Sequence, residues 1–350
     1  MAAMEVLEKE ENGSIAARDE ALENFLKSSG WLDSAPPEPL NEDCGTRHYL
    51  RLRKGKATAV LLDTLTDDDP RLSKGHKLSD FVRLAALMRE KGIRVPEIYA
   101  HDIKNGYALI EDFGDLMLSE AASDMTSKKN LYENAIEALV PVNKMEGTGL
   151  RIFFDDHIYT DTDAFIHWYC QCVDTGLDSQ NLIIQFQKLR EDIVQSLPDP
   201  VYGFVHGDYH AENLMVLKQN AIGILDFQGA FHGPVAYDLA NILYDARRDI
   251  GDVLREALIE RYCAHFTKEE QESIKMWLPV LACIFHCRVI GLFIKLAQID
   301  GKTRYVKHLP RLTAWVEQMS SANPSLHPLK SFLENNRISL RLIDGLFPSD

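Results

Sequence analysis

Residues 201–241, VYGFVHGDYHAENLMVLKQNAIGILDFQGAFHGPVAYDLAN, alternate short apolar runs with polar turns and end in a helical pattern. In the turn GDYHAEN, Asp208 stands five residues before Asn213, and the run AIGIL leads straight into Asp226-Phe227. Runs this brief, bounded by glycine and polar residues, read as strands of a small sheet. Their turns can deliver Asp208, Asn213 and Asp226 to one edge. Phosphoryl transfer from a nucleotide needs such a set: a carboxylate at the attacking hydroxyl, and oxygen donors for a Mg²⁺ ion bridging the phosphates. The Asp-to-Asn spacing matches a kinase catalytic loop, and Asp-Phe stands where a metal-binding Asp-Phe-Gly would. A lone His-x-Asp is usually a surface turn. The ordered series is what sets this block apart.

The rest of the chain supplies a frame. Residues 14–30 place Ala21, Leu22, Phe25 and Leu26 on a helical stripe that Gly30 closes. Beyond the proline-rich turn at 35–40, HYLRLR and TAVLLD predict two strands joined at Lys54-Gly55-Lys56. In the polar loop 63–75, Asp67, Asp68 and Asp69 are expected to be solvated, because a metal site needs converging ligands rather than adjacent ones. Residues 76–91 have helical periodicity and stop at Gly92, and short strands near Glu97–Ala100 and Tyr107–Glu111 flank the turn Asn105-Gly106. From about residue 128 the pattern is helical except for the β-rich block at 201–227. The expectation is an α+β chain with two lobes: a small antiparallel β N-lobe with one long helix over 1–111 and a mainly helical C-lobe over 112–350. A cleft between unequal lobes is a usual place for a small ligand.

Composition narrows the partners. Lys+Arg 38 against Asp+Glu 53 gives a formal charge of -15, so the field of the whole chain repels nucleic acid and anionic lipid, and neither is expected as a partner. Cys44, Cys170, Cys172, Cys263, Cys283 and Cys287 form no CxxC pair and no zinc spacing, and read as reduced thiols of a cytoplasmic protein. Cys283 and Cys287, one helical turn apart, read as core. The opening MAAMEVLEKEENGS has no apolar signal region. The apolar stretch 276–297 is interrupted by His286, Arg288 and Lys295. Each ionisable group near a bilayer centre costs about 2.5–3.5 kcal/mol, so a core helix is expected there rather than a membrane span.

His206-Gly207-Asp208 replaces the protein-kinase His-Arg-Asp, and Asp226-Phe227-Gln228 replaces Asp-Phe-Gly. The block resembles the aminoglycoside phosphotransferase superfamily, small-molecule kinases that share the protein-kinase fold. More specifically, it looks like the bacterial N-acetylmuramate/N-acetylglucosamine kinases, which phosphorylate the sugar's anomeric hydroxyl in cell-wall recycling. Segments 43–52, 92–115, 167–169 and 285–312 share the likeness, which spans about residues 15–320. The resemblance implies a bilobal protein-kinase-like fold whose N-lobe binds nucleotide and whose C-lobe carries catalysis and the acceptor, with ATP and Mg²⁺ as cofactors and a small sugar as substrate; a monomer is expected. It implies that Asp208 is the catalytic aspartate and that Asn213 and Asp226 hold Mg²⁺. Backbone groups at Glu111, Asp112 and Phe113 would meet the adenine, and loop 43–48 would cover the phosphates with Arg47 as its cation. Asp238 would brace the catalytic loop.

The chain also departs from the pattern. The glycine-rich phosphate loop shrinks to Cys44-Gly45-Thr46, and the strand TAVLLD lacks the usual phosphate-pairing lysine. Arg47, Arg51 and Arg53 are the candidates to replace it. Gly207 and Gly229 stand where the sugar kinases often have arginine and aspartate.

Some residues keep two readings. His206 reads as a structural loop residue rather than a base. Trp168, between His167 and Tyr169, is either core or a sugar-stacking platform. Arg288 is either a contact for a substrate carboxylate or a structural ion pair. The leading function is ATP-dependent phosphorylation of an amino sugar at its anomeric hydroxyl. The alternatives are a kinase for an aminoglycoside- or choline-like acceptor and a non-catalytic nucleotide-binding protein with the kinase fold.

Overall fold

The structure is a computed structural model that describes residues 17–40, 47–72, 76–121, 124–155, 162–173 and 176–340. The chain divides into two compact units, one of Met1–Glu120 with Asn213–Gly229, the other of Ala121–Glu212 with Ala230–Asp350.

The first unit is built on a five-stranded antiparallel sheet in the order β1-β2-β3-β5-β4. Its strands are β1 (Glu38–Pro39), β2 (His48–Lys54), β3 (Ala57–Asp63), β4 (Ile98–Asp102) and β5 (Tyr107–Glu111). The predicted hairpin forms between β2 and β3, with Lys54 paired to Ala57 and Gly55 at φ 60°. Glycine takes that left-handed geometry without a Cβ clash. Because β3 lies between β2 and β5, apolar residues suit both of its faces, and Ala59, Val60, Leu61 and Leu62 are all buried. Helix α1, described over 17–28, lays Phe25 on Leu52, Ala59, Leu61, Tyr107 and Leu109.

Helix α2 (Leu78–Glu90) buries Leu78, Phe81, Leu84, Ala85 and Met88. Its N-terminus corrects an expectation. The Asp67 carboxylate accepts the backbone N–H groups of Leu78 at 2.7 Å and Ser79 at 3.2 Å, so it caps the helix from the preceding loop instead of being merely solvated. Asp69 pairs with Arg71, and Asp68 accepts from Thr66. After α2 and β4–β5, the chain returns to this unit as a two-stranded ribbon, β8 (Leu214–Val216) with β9 (Ile222–Ile224). The ribbon is sewn in by Val216 N–H to Leu116 O and Ile224 N–H to Arg94 O, each 2.8 Å.

The second unit is mainly helical. Its long helices are α3 (Met125–Asn143), α4 (Ser179–Gln195), α5 (Ala236–Leu243), α6 (Asp252–Cys263), α7 (Lys268–Gln298), α8 (Leu309–Ala322) and α9 (His327–Asn335). A three-stranded sheet in the order β6-β10-β7 joins β6 (Arg151–Ile152), β10 (Phe231–Pro234) and β7 (Tyr202–Val205). Helix α7 opens on a capping box of Thr267 and Glu270. Among the described residues it is the one helix long and apolar enough to cross a membrane, yet 78% of its most apolar stretch is buried within the protein. That is the core helix expected from its interrupting charges. Cys283 and Cys287 are fully buried in it, and the five cysteines among the described residues are free. Gly291 lets α7 close on the segment 164–165, where an added Cβ would lie 2.2 Å from Ala164 O.

Candidate active site

In the first unit, the ribbon positions the two expected metal ligands. Asn213 directly precedes β8, and its carbonyl accepts the Leu225 N–H at 2.9 Å, which sets Asn213 and Asp226 at the same open end of the ribbon. Asp226 adopts φ 59°, a left-handed conformation that aspartate tolerates better than most residues, and sparsely populated backbone of this kind gathers at functional turns. Two contacts hold the turn. Phe227 stacks on Phe81 at 5.0 Å, and the Gln228 amide Nε2 donates to Asp226 Oδ1 at 2.5 Å. No cluster of three or more His, Cys, Asp or Glu side chains suited to a metal occurs among the described residues. One carboxylate with one amide oxygen is instead a hard, oxygen-only and incomplete set. It fits Mg²⁺, which keeps waters and shares phosphate oxygens, better than a metal caged by protein.

The stretch after β5 is fixed by its own side chains. The Glu111 carboxylate takes both ends of the Arg94 guanidinium, Nη1 at 2.7 Å, and this bond holds its carboxyl below the usual range. Its backbone N–H goes to Glu97 O at 2.8 Å. Asp112 accepts Arg51 Nε at 2.8 Å and Nη2 at 2.9 Å, and Arg51 Nη1 reaches Asp115 at 2.6 Å. Burial would raise the Asp112 carboxyl, but the Arg51 contacts outweigh it and hold it low. The Phe113 ring lies 4.7 Å from the Arg94 guanidinium and covers Gly223, where a Cβ would come within 2.5 Å of it. With these side chains engaged, the stretch can offer a ligand its backbone. Arg47, just before β2, is buried. Cys44-Gly45-Thr46 lies outside the described residues.

In the second unit, β7 ends at Val205 and the chain turns through His206, Gly207 and Asp208. Asp238 on α5, fully buried, braces this turn. Its Oδ2 accepts His206 N–H at 2.8 Å and Asn143 Nδ2 at 2.9 Å, and its Oδ1 accepts Gly207 N–H at 2.9 Å. Asn241 Nδ2 adds a bond to Gly207 O at 3.0 Å, and Tyr262 OH donates to Asn143 Oδ1 at 2.7 Å. Burial pushes the Asp238 carboxyl up, against the pull of His206 and these donors. His206 Nδ1 accepts the Asp208 N–H at 3.2 Å, so this histidine shapes the loop, as expected.

The Asp208 side chain is 52% exposed and lies 3.3 Å from His210 Nε2. Because His210 Nδ1 accepts the Glu212 N–H at 3.3 Å, the proton belongs on Nε2, which donates to Asp208. Crowding around Asp208 would raise its carboxyl, but His210, His206 and Arg288 together hold it well below the usual carboxylate range. The open side of this carboxylate is screened by water, so the pair is chiefly a device for orientation. His210 responds in the opposite sense: burial would lower it, and Asp208 and Asp245 raise it.

Arg288 on α7 therefore belongs to the surroundings of Asp208. Trp168 sits in the π-helical segment Phe165–Cys170, half-buried against the helical core. The sequence reading missed His210 and Gln228. The second histidine of HGDYH, two residues past Asp208, was the available signal for one of them. Gln228 carried none, since its work depends on the left-handed turn at Asp226.

A sequence profile of the phosphotransferase enzyme family matches residues 37–274. An N-acetylmuramate/N-acetylglucosamine kinase of Pseudomonas aeruginosa is 27% identical over 325 residues, 90% of this chain and 93% of its own length. The protein of the same name from Caulobacter vibrioides is 28% identical, over 91% of this chain and 96% of its own. Among solved structures, a choline/ethanolamine kinase family protein from Mesorhizobium loti superposes with TM-score 0.59 at 14% identity, over 92% of this chain and 99% of its own. An ADP-bound aminoglycoside phosphotransferase, APH(2'')-Ib, gives TM-score 0.57 at 12% identity, over 86% of this chain and 98% of its own. At such identities the structural matches speak for the fold alone, and that fold is the expected α+β, protein-kinase-like one.

Proposed function

Because the chain belongs to the phosphotransferase enzyme family and is a small-molecule kinase, we propose that it transfers the terminal phosphoryl group of ATP to the anomeric hydroxyl of an amino sugar of the N-acetylmuramate or N-acetylglucosamine type. In this reading it works as a cytoplasmic monomer in the reuse of cell-wall sugars. The relatives that match about nine-tenths of the chain carry that kinase name. The observation that bears most weight is the Asp208 turn: an accessible carboxylate kept ionised by its neighbours, with the loop behind it tied to a buried aspartate.

Asp208 orients the sugar hydroxyl and accepts its proton as the phosphoryl group moves. Since proton transfer comes late in a loose transition state, an unusually basic carboxylate is not required. His210 fixes which face the carboxylate presents, and Asp238 fixes the loop's backbone. Asn213 and Asp226 would hold Mg²⁺, which supplies charge neutralisation between the phosphates. The positive charge of Arg288 near Asp208 favours a neutral or anionic acceptor over a cationic one such as choline or an aminoglycoside.

The test is ADP release from Mg·ATP by the purified chain over a panel of N-acetylmuramate, N-acetylglucosamine, choline and an aminoglycoside. Stimulation by the amino sugars is expected, with Asp208→Ala lowering kcat by about 10²–10⁴-fold at unchanged Tm. Stimulation by choline or the aminoglycoside alone would replace the acceptor. Nucleotide binding without ADP release from any acceptor would favour a non-catalytic protein.

A further inference from the structure

A kinase needs a fixed cation on its nucleotide phosphates, and β3 does not provide one: Ala59, Val60, Leu61 and Leu62 are buried and apolar. Of the three nearby arginines, two are already committed. Arg53 is exposed and paired with Glu38 at 3.0 Å. Arg51 is locked between Asp112 and Asp115.

Arg47 is in a different state. It is 8% exposed, and its Nη2 donates to His76 O at 2.7 Å. Its Nε and Nη1 are buried and meet no partner among the described residues. A guanidinium desolvated with N–H groups unused is costly unless an anion completes it. Its surroundings indicate which anion. Tyr49, half-buried near the start of β2, lies against Arg47, and its hydroxyl feels the charges of both Arg47 and Asp226, so the guanidinium and the expected metal carboxylate act on one neighbourhood of the first unit. Metal-bound polyphosphate belongs in such a neighbourhood.

We propose that Arg47 pairs with the polyphosphate of the bound nucleotide and takes the place of the lysine that β3 lacks. The inference rests on the kinase reading and specifies which side chain holds the nucleotide's charge. Arginine suits the task, because its planar fork meets phosphate oxygens and it remains charged when buried.

The experiment is calorimetric titration of the full chain with ATP and, separately, with adenosine in the presence of Mg²⁺ and without acceptor, so that no turnover enters the readout. For Arg47→Gln the Kd for ATP should rise about 10–100-fold, the scale of a lost charge-assisted contact, while adenosine binding stays unchanged. Arg47→Lys should retain part of the ATP affinity, and Arg53→Gln should bind as the parent does. The Tm of nucleotide-free Arg47→Gln should equal or exceed that of the parent, since an uncompensated buried charge is gone.

If Arg47→Gln binds ATP as tightly as the parent, or loses ATP and adenosine affinity equally, the assignment is wrong while the kinase reading stands. A parent chain that binds no Mg·ATP at all sinks the kinase reading itself. If Arg47→Gln fails to fold, Arg47 is structural and the assignment is equally overturned.

Discussion

Asp238 is buried and accepts three hydrogen bonds, two of them from the backbone of the turn that carries Asp208. An amide in its place would point N–H groups at N–H groups. Asp238→Asn should therefore lower stability by about 2–4 kcal/mol and reduce kcat more than it changes KM for the sugar, as read from thermal unfolding and initial rates. The brace was legible only through the family resemblance, which carried over an aspartate on the helix that follows Asp226. A second residue tests the titration chemistry. His286 is fully buried, its Nε2 donates to Tyr244 O at 2.8 Å, and its Nδ1 has no partner among the described residues. Burial lowers it from 6.5 to about 4, so the folded state keeps it neutral while the unfolded chain takes up a proton below 6.5. Stability is then complete above pH 6.5 and is lost as pH falls toward 4, by up to about 3 kcal/mol from this residue. Tm measured from pH 7 to 4 should fall less steeply in His286→Gln than in the parent; parallel curves would exclude the residue as a source of acid lability. The sequence showed that His286 interrupts an apolar helix, but not that a carbonyl across the core would receive it.

At the scale of elements, periodicity and turn residues located α2 and the hairpins β2–β3 and β4–β5, because hydrophobic alternation and glycine act locally. The contact they could not show is the cap on α2, made by Asp67 from 11 residues upstream. Three adjacent aspartates look alike in sequence, and only the folded loop singles one out. Asp67→Ala should lower stability by about 1 kcal/mol and Asp68→Ala by much less, measured by denaturant unfolding. Equal effects would show that loop charge, not capping, matters. The close approach at Gly291 makes a second demand. Gly291→Ala raises helix propensity yet drives a Cβ into the backbone at 164–165, so a net loss of about 1–3 kcal/mol is expected.

Across the whole molecule, the candidate catalytic and metal-binding residues stand in one stretch of sequence but belong to different units: Asp208 lies in the helical unit, and Asn213 and Asp226 in the sheet-bearing one. What joins residues 213–229 to the N-terminal unit is backbone pairing with residues 94, 116 and 117. Such pairing depends on no particular side chains, so local pattern does not reveal it. The stretch was nevertheless readable as a candidate kinase motif, because phosphoryl transfer restricts which residue types can stand at such turns. The proposed acceptor was less readable, since the charge that favours it acts on Asp208 from Arg288, 80 residues away in sequence. The most direct measurement is ³¹P and ¹H NMR of the product formed from Mg·ATP and N-acetylmuramate or N-acetylglucosamine. A phosphorus coupled to the anomeric proton is the predicted result; a phosphate on any other hydroxyl, or an unmodified sugar, would contradict the account.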